Sequence, residues 1–250
     1  MTIVAVRSPK GGVGRTSLTA LLACALTRGG AAVTALDLDR QDALRLHCGA
    51  FEEAPLAQEG TALRLSAAAG GFSRVVRDAA AAPLLAGGPI AAQMASRLLA
   101  PWLGAPEILI VDMPAAEDAS SAAVAELAGL HLHLFLPDLG SLATLSDPSA
   151  DPAFSRSAFV LNQADWRRPL SESASAFLRH VVGVRFAGVI RRDEAVPEAF
   201  AALQPLPDYA PASGAWCDLT ALASEIELRL PAAARWEAAQ GPSGQTARRA

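Results

Sequence analysis

Cysteine, aromatic side chains and excess charge of one sign are all scarce in this 250-residue chain. Its three cysteines, Cys24, Cys48 and Cys217, are isolated, odd in number and without CxxC spacing, which argues against a disulfide framework. They read as reduced thiols, two of them packed as small apolar residues. Aromatic residues make up only 5% of the chain, and much of its 52% hydrophobic content is alanine, so bulk hydropathy overstates how apolar it is. No stretch approaches the ~20 strongly apolar residues of a membrane-spanning helix. The opening TIVAVRSPKGG has no basic leader region and no cleavage site, which argues against secretion. A net charge of −4 argues against dense nucleic-acid binding. These absences leave a cytoplasmic protein whose length suits one α/β domain with a sizeable core.

Short apolar runs alternate with segments of helical spacing. Strands are expected at Ile3–Val6, Val33–Leu38, Ile108–Val111, His131–Leu136, Ala158–Leu161 and Phe186–Ile190, with a weaker candidate at Ala62–Leu65. Helices are expected at Thr16–Arg28, Gln41–His47, Ile90–Leu99, Ser120–Leu127, Ser171–His180, Pro197–Leu203 and Leu219–Leu230. Such alternation predicts an α/β fold with a twisted, mostly parallel sheet of about seven or eight strands and helices on both faces. Residues 1–230 read as a single domain. Asp138–Ser157, rich in Ser, Asp and Pro, reads as an irregular surface loop, and Pro231–Ala250 as a disordered tail.

The most informative segment is SPKGGVGRTS, Ser8–Ser17, placed between a strand and a helix. That context turns a glycine-rich string into a phosphate site. Gly11, Gly12 and Gly14 let the backbone fold tightly, so that N–H groups along Lys10, Val13 and Ser17 can converge on phosphate oxygens. The helix N-terminus behind them adds the positive end of its dipole. Thr16 falls where a hydroxyl ligates Mg²⁺. Arg15 stands where the general pattern GxxxxGK[ST] has lysine. It keeps the charge and can grip phosphate with a planar fork, but it does not reproduce a compact ammonium. Binding is expected to survive this exchange, with hydrolysis slow or absent.

Carboxylates follow in the order such a site needs. Asp37 and Asp39 share a strand face in LDLD, at the end where ligands of open parallel sheets bind. Asp112 ends the run ILIVD, the Walker B arrangement that orders Mg²⁺ or its waters. Arg191 and Arg192 follow a strand end, where they would border a nucleotide base or bind a carboxylate of a partner, the alternative being a solvated turn.

KGGVGRTS resembles the deviant Walker A box, KGGxGK[TS], of the MinD/ParA ATPases. The resemblance implies a P-loop NTPase fold that binds ATP and Mg²⁺ and forms a homodimer with ATP. By that likeness Lys10 reaches across the dimer to the other protomer's phosphates. Asp39 matches the residue that orients the attacking water and is a possible further metal ligand. Asp112 matches the Walker B position, and Asn162, in VLNQ, the asparagine that reads the adenine edge. Within the family, GVIRRDEAVPEAFAALQPLPDY, Gly188–Tyr209, and DALRLHCG are similar to the BcsQ (YhjQ) branch, the accessory ATPases of bacterial cellulose secretion. That similarity implies partners among the cellulose synthase subunits, on the cytoplasmic side of the inner membrane.

Other features weigh less. His131 and His133 share a strand face, but no third or fourth zinc ligand accompanies them, so an edge or solvent face is expected. Trp166 with Arg167 and Arg168 reads either as a partner-contacting loop or as an amphipathic surface. The ending ARWEAAQGPSGQTARRA is a poor lipid-docking helix, so no direct membrane insertion is expected.

Overall fold

The computed structural model describes residues 2–38, 43–48, 74–76, 108–114, 124–145 and 153–230. Its strands are β1 (Thr2–Arg7), β2 (Val33–Asp37), β3 (Arg74–Val76), β4 (Ile108–Asp112), β5 (Leu130–Phe135), β6 (Ser157–Ala164) and β7 (Phe186–Arg191). Among the described residues they form one seven-stranded sheet in the order β3-β2-β4-β1-β5-β6-β7. Every pairing is parallel. Strands buried on both faces require apolar residues throughout, and β2 and β4 are buried at every position. The register sets Val4 beside Ile110 and Asp37 beside Asp112, so both aspartates leave the sheet at the same end.

The helices are α1 (Arg15–Arg28), α2 (Leu44–His47), α3 (Leu139–Leu142), α4 (Pro169–Val182), α5 (Ala195–Ala202), α6 (Leu206–Tyr209) and α7 (Gly214–Arg229). Helices α1 and α7 cover one face, where Leu22, Leu26, Leu219 and Ile226 join Val4, Val6, Ile110 and Val160 in one buried cluster. Helix α4 covers part of the other, with Ala174, Leu178 and Val182 packed among Phe135, Phe159 and Leu161. The alternation of Val160 and Leu161 between these clusters is the period of two of a strand. Each fully buried leucine contributes about 1.5–3 kcal/mol. Among the described residues no helix is long and apolar enough to cross a membrane.

Two expectations are corrected. Asp138–Ser157 is not irregular throughout: the Asp138 carboxylate accepts the Ser141 N–H at 2.7 Å and caps α3, and Ser157 opens β6, while residues 146–152 lie outside the described residues. Aspartate and serine favour loops, but they also start helices. Neither His131 nor His133 lies on an edge strand, and His131 does not face solvent, while His133 is half-buried. Strand β5 is paired on both sides, His131 is fully buried, and His133 stacks on Phe159 with centroids 5.0 Å apart. The two rings do share a face, 6.2 Å apart. The expected elements at Ala62–Leu65 and Ile90–Leu99 and the tail from Pro231 lie outside the described residues, and the one at Ser120–Leu127 is described only from Val124, where it is helical.

Candidate nucleotide site

Strand β1 ends at Arg7, and the chain turns through Ser8–Gly14 into α1. Ser8 sets the first bend: its hydroxyl accepts the Lys10 N–H at 3.2 Å and donates to the Lys10 carbonyl at 3.0 Å. Gly14 is left-handed, with φ of +83°, and its carbonyl accepts the Leu18 N–H at 2.8 Å, the opening bond of the helix. A Cβ on Gly14 would stand 2.9 Å from Asn162 Nδ2 and 3.2 Å from Gln163 Nε2, so a larger residue would have to displace these amides as well as adopt a strained backbone. Gly11 and Gly12, in contrast, face open space: a Cβ at either meets nothing within 4 Å. The loop is therefore braced from behind and open in front, as an anion cradle has to be.

Beneath the loop lies Asp112. The carboxylate is fully buried and both its oxygens are engaged, Oδ1 by Arg15 Nε at 3.1 Å and Oδ2 by the Thr16 hydroxyl at 2.6 Å. Arg15 is itself only 8% exposed. Thr16 spends its hydrogen on Asp112, which leaves its oxygen lone pairs for a hard cation. A hydroxyl and a carboxylate are suitable donors for Mg²⁺, so these residues fit that ion. Asp37, buried on the neighbouring strand, instead accepts the Leu44 N–H at 3.1 Å and anchors α2. Asp39 lies outside the described residues.

Lys10 turns away from Asp112. Its ammonium lies 3.0 Å from Asp138 Oδ1, with the two side chains 40% and 39% exposed. That contact, helped by the Ser141 N–H, holds the Asp138 carboxyl below its ordinary range.

A cavity of about 480 Å³ opens beside the loop, lined by Gly14, Ser17, Leu18, Leu21, Asn162, Gln163, Ile190, Arg191 and residues of α5. Asn162, at the end of β6, donates its amide to the Val13 carbonyl at 2.8 Å and thereby faces this space. Arg191 also borders it, but its guanidinium is forked onto Asp218, at 2.7 and 2.8 Å, so its charge is already answered within the chain. The far wall is His47 and Phe200, in edge contact at 4.3 Å. Burial lowers the His47 pKa, which favours a neutral ring against this apolar end. Asp193 ties the wall together by accepting Ala195 N–H, Ala215 N–H and the Ser213 hydroxyl at 3.0, 3.1 and 2.8 Å.

The structure thus brings Arg15, Thr16 and Asp112 together, and Gly14, Asn162 and Arg191 around one cavity. Sequence reasoning missed Asp138, Asp218, His47 and Phe200, whose pairings are long-range. Gln163 was legible as the neighbour of Asn162.

A parallel sheet with a strand–glycine loop–helix at its centre, and a buried aspartate on the adjoining strand end, defines a P-loop nucleotide-binding protein. The CbiA family, described as the CobQ/CobB/MinD/ParA nucleotide binding domain, matches residues 4–206, and this chain belongs to it. Comparison with curated proteins returns no match. Solved structures share the fold. MinD from Pyrococcus horikoshii, complexed with Mg-ADP, is 20% identical over 90% of this chain and 95% of its own, with a TM-score of 0.70. Cyanothece McdA in its apo form is 19% identical over 92% and 100%, with a TM-score of 0.72. A ParA family ATPase from Chlorobium tepidum is 20% identical over 90% and 98%, with a TM-score of 0.68.

Proposed function

We propose that this chain is an ATP-binding switch protein that dimerises with nucleotide and turns it over slowly or not at all. The observation that carries the reading is the Thr16–Asp112 hydrogen bond of 2.6 Å beneath an open glycine loop. The loop from Lys10 to Ser17 is the phosphate cradle, and Asn162 the base-facing residue. Thr16 would hold Mg²⁺, with Asp112 acting through water and Asp39 as a further possible ligand. Bound there, the ion neutralises phosphate charge. Asp39 positions water where hydrolysis occurs, and Lys10 leaves Asp138 to reach the partner protomer. Molar mass by light scattering tests this. A protein that is monomeric with ADP and doubles with Mg²⁺·ATP is expected; an unchanged monomer in both overturns the switch.

The finer reading is an accessory role in bacterial cellulose synthesis, exerted in the cytoplasm on the inner-membrane synthase complex. What supports it is the wording of Gly188–Tyr209, whose Asp193 accepts the Ala195 and Ala215 N–H groups beside the cavity. A second reading, a partitioning or positioning ATPase, is favoured by the MinD, ParA and McdA folds that this chain shares. Co-purification with synthase subunits supports the first. ATP-dependent, salt-sensitive retention on DNA without such co-purification supports the second.

A further inference from the structure

The side chain of Arg15 does not face the open front of the loop. It is nearly buried and donates through Nε to Asp112, which has no solvent contact. A second buried carboxylate, Asp37, sits beside Asp112 in register on β2. A buried carboxylate left without a counter-charge is strongly destabilising, and a guanidinium cannot relieve the situation by losing its proton. In the nucleotide-free protein the arginine is therefore engaged at the sheet end, and leaving it would take a charged partner from Asp112.

We propose that Arg15 is the resident counter-ion of Asp112 and not a phosphate ligand. The phosphate grip then falls to the backbone N–H groups of the loop and to Lys10, and Arg15 acts as a positioning residue that fixes the Asp112–Thr16 pair. Its permanent charge beside the carboxylate also keeps the metal subsite weak, because a divalent cation there meets a fixed positive neighbour. The proposal rests on the nucleotide reading of the loop and narrows it: nucleotide enters with little help from Mg²⁺.

Two measurements decide the matter. The first is a melting cycle of the nucleotide-free protein. Arg15→Gln lowers the melting temperature, and Arg15→Gln combined with Asp112→Asn recovers it; an Arg15→Gln protein as stable as wild type overturns the counter-ion role. The second titrates a fluorescent ADP analogue, with Mg²⁺ or with chelator. Wild-type affinity is expected to differ by less than about tenfold between the two conditions, and the folded double variant is titrated in chelator, where any role of Asp112 toward the metal is silent. A folded double variant that loses more than about 30-fold makes Arg15 a phosphate ligand and overturns the proposal. The Mg²⁺ titration adds a readout that scaffold damage alone would not produce: Arg15→Gln tightens the half-saturating Mg²⁺ concentration with ADP bound. A weaker or unchanged midpoint contradicts the fixed-charge argument. A wild-type protein that binds neither ADP nor ATP sinks the nucleotide reading, while the melting cycle still decides the pair.

Discussion

Asn162 donates its side-chain amide to the main-chain carbonyl of Val13 at 2.8 Å, joining residues 149 positions apart. The bond ties the end of β6 to the loop that opens α1, and it passes so close to Gly14 that a methyl group there would push the Asn162 amide aside. Gly14→Ala should therefore cost about 1–3 kcal/mol from its left-handed backbone alone and abolish nucleotide binding. Asn162→Ala leaves space but removes a buried bond, at about 1–3 kcal/mol. Thermal melting with a fluorescent-nucleotide titration checks both, and a Gly14→Ala protein that binds normally would contradict the packing described.

Lys10 and Asp138 are more than a third exposed, so their pair contributes little to stability, about 1 kcal/mol or less. Lys10→Ala should melt close to wild type and yet fail to dimerise with ATP. Asp138→Ala releases the lysine and should dimerise at least as well. Light scattering with Mg²⁺·ATP separates the two, and a Lys10→Ala protein that dimerises normally refutes the role of this lysine in trans.

Asp193 should behave as a structural carboxylate. Burial works to raise its pKa, but hydrogen bonds from Ser213, Ala195 and Ala215 hold it below the usual range. A depressed native pKa adds stability that is present above the unfolded value and lost as pH falls through the native one. Asp193→Ala should therefore cost about 1–3 kcal/mol at neutral pH and nearly nothing in strong acid. Denaturant melts across the acid range would show the wild-type and variant curves converging; a constant gap would contradict this.

Arg15→Lys should raise ATP turnover. A lysine lacks the Nε–H that Arg15 donates to Asp112 and can reach the phosphates as a compact ammonium. Phosphate release is the measurement, and unchanged turnover would mean that Arg15 is not the brake.

Much of this fold was legible because parallel strands buried on both faces spell themselves as apolar runs, as ILIVD does in β4. Strand order was not legible. His131 reads the same on an edge strand as on an interior one, and only the crossover that sets β5 between β1 and β6 buries it. The site divides in the same way. The loop, Thr16 and Asp112 are marked locally, by spacing and strand ends, whereas Asn162 stands out only through the family resemblance. Pairings across the chain left no such mark: Lys10 with Asp138, Arg191 with Asp218, and the commitment of Arg15 to Asp112. Arg191 illustrates the limit, since its position predicted the cavity border but not the carboxylate that occupies its guanidinium.

Strand β1 has no sheet neighbour in the chain before Ile108–Asp112 and Leu130–Phe135. During synthesis the glycine loop therefore leaves the ribosome long before the strand that carries Asp112. At about 5–20 residues per second, that interval is on the order of ten seconds. Throughout it, β1 is an apolar segment awaiting partners, the kind of surface that chaperones shield. Assembly of the cradle is a late event in the life of each molecule, and truncated products ending before Asp112 carry the loop without the carboxylate that completes it.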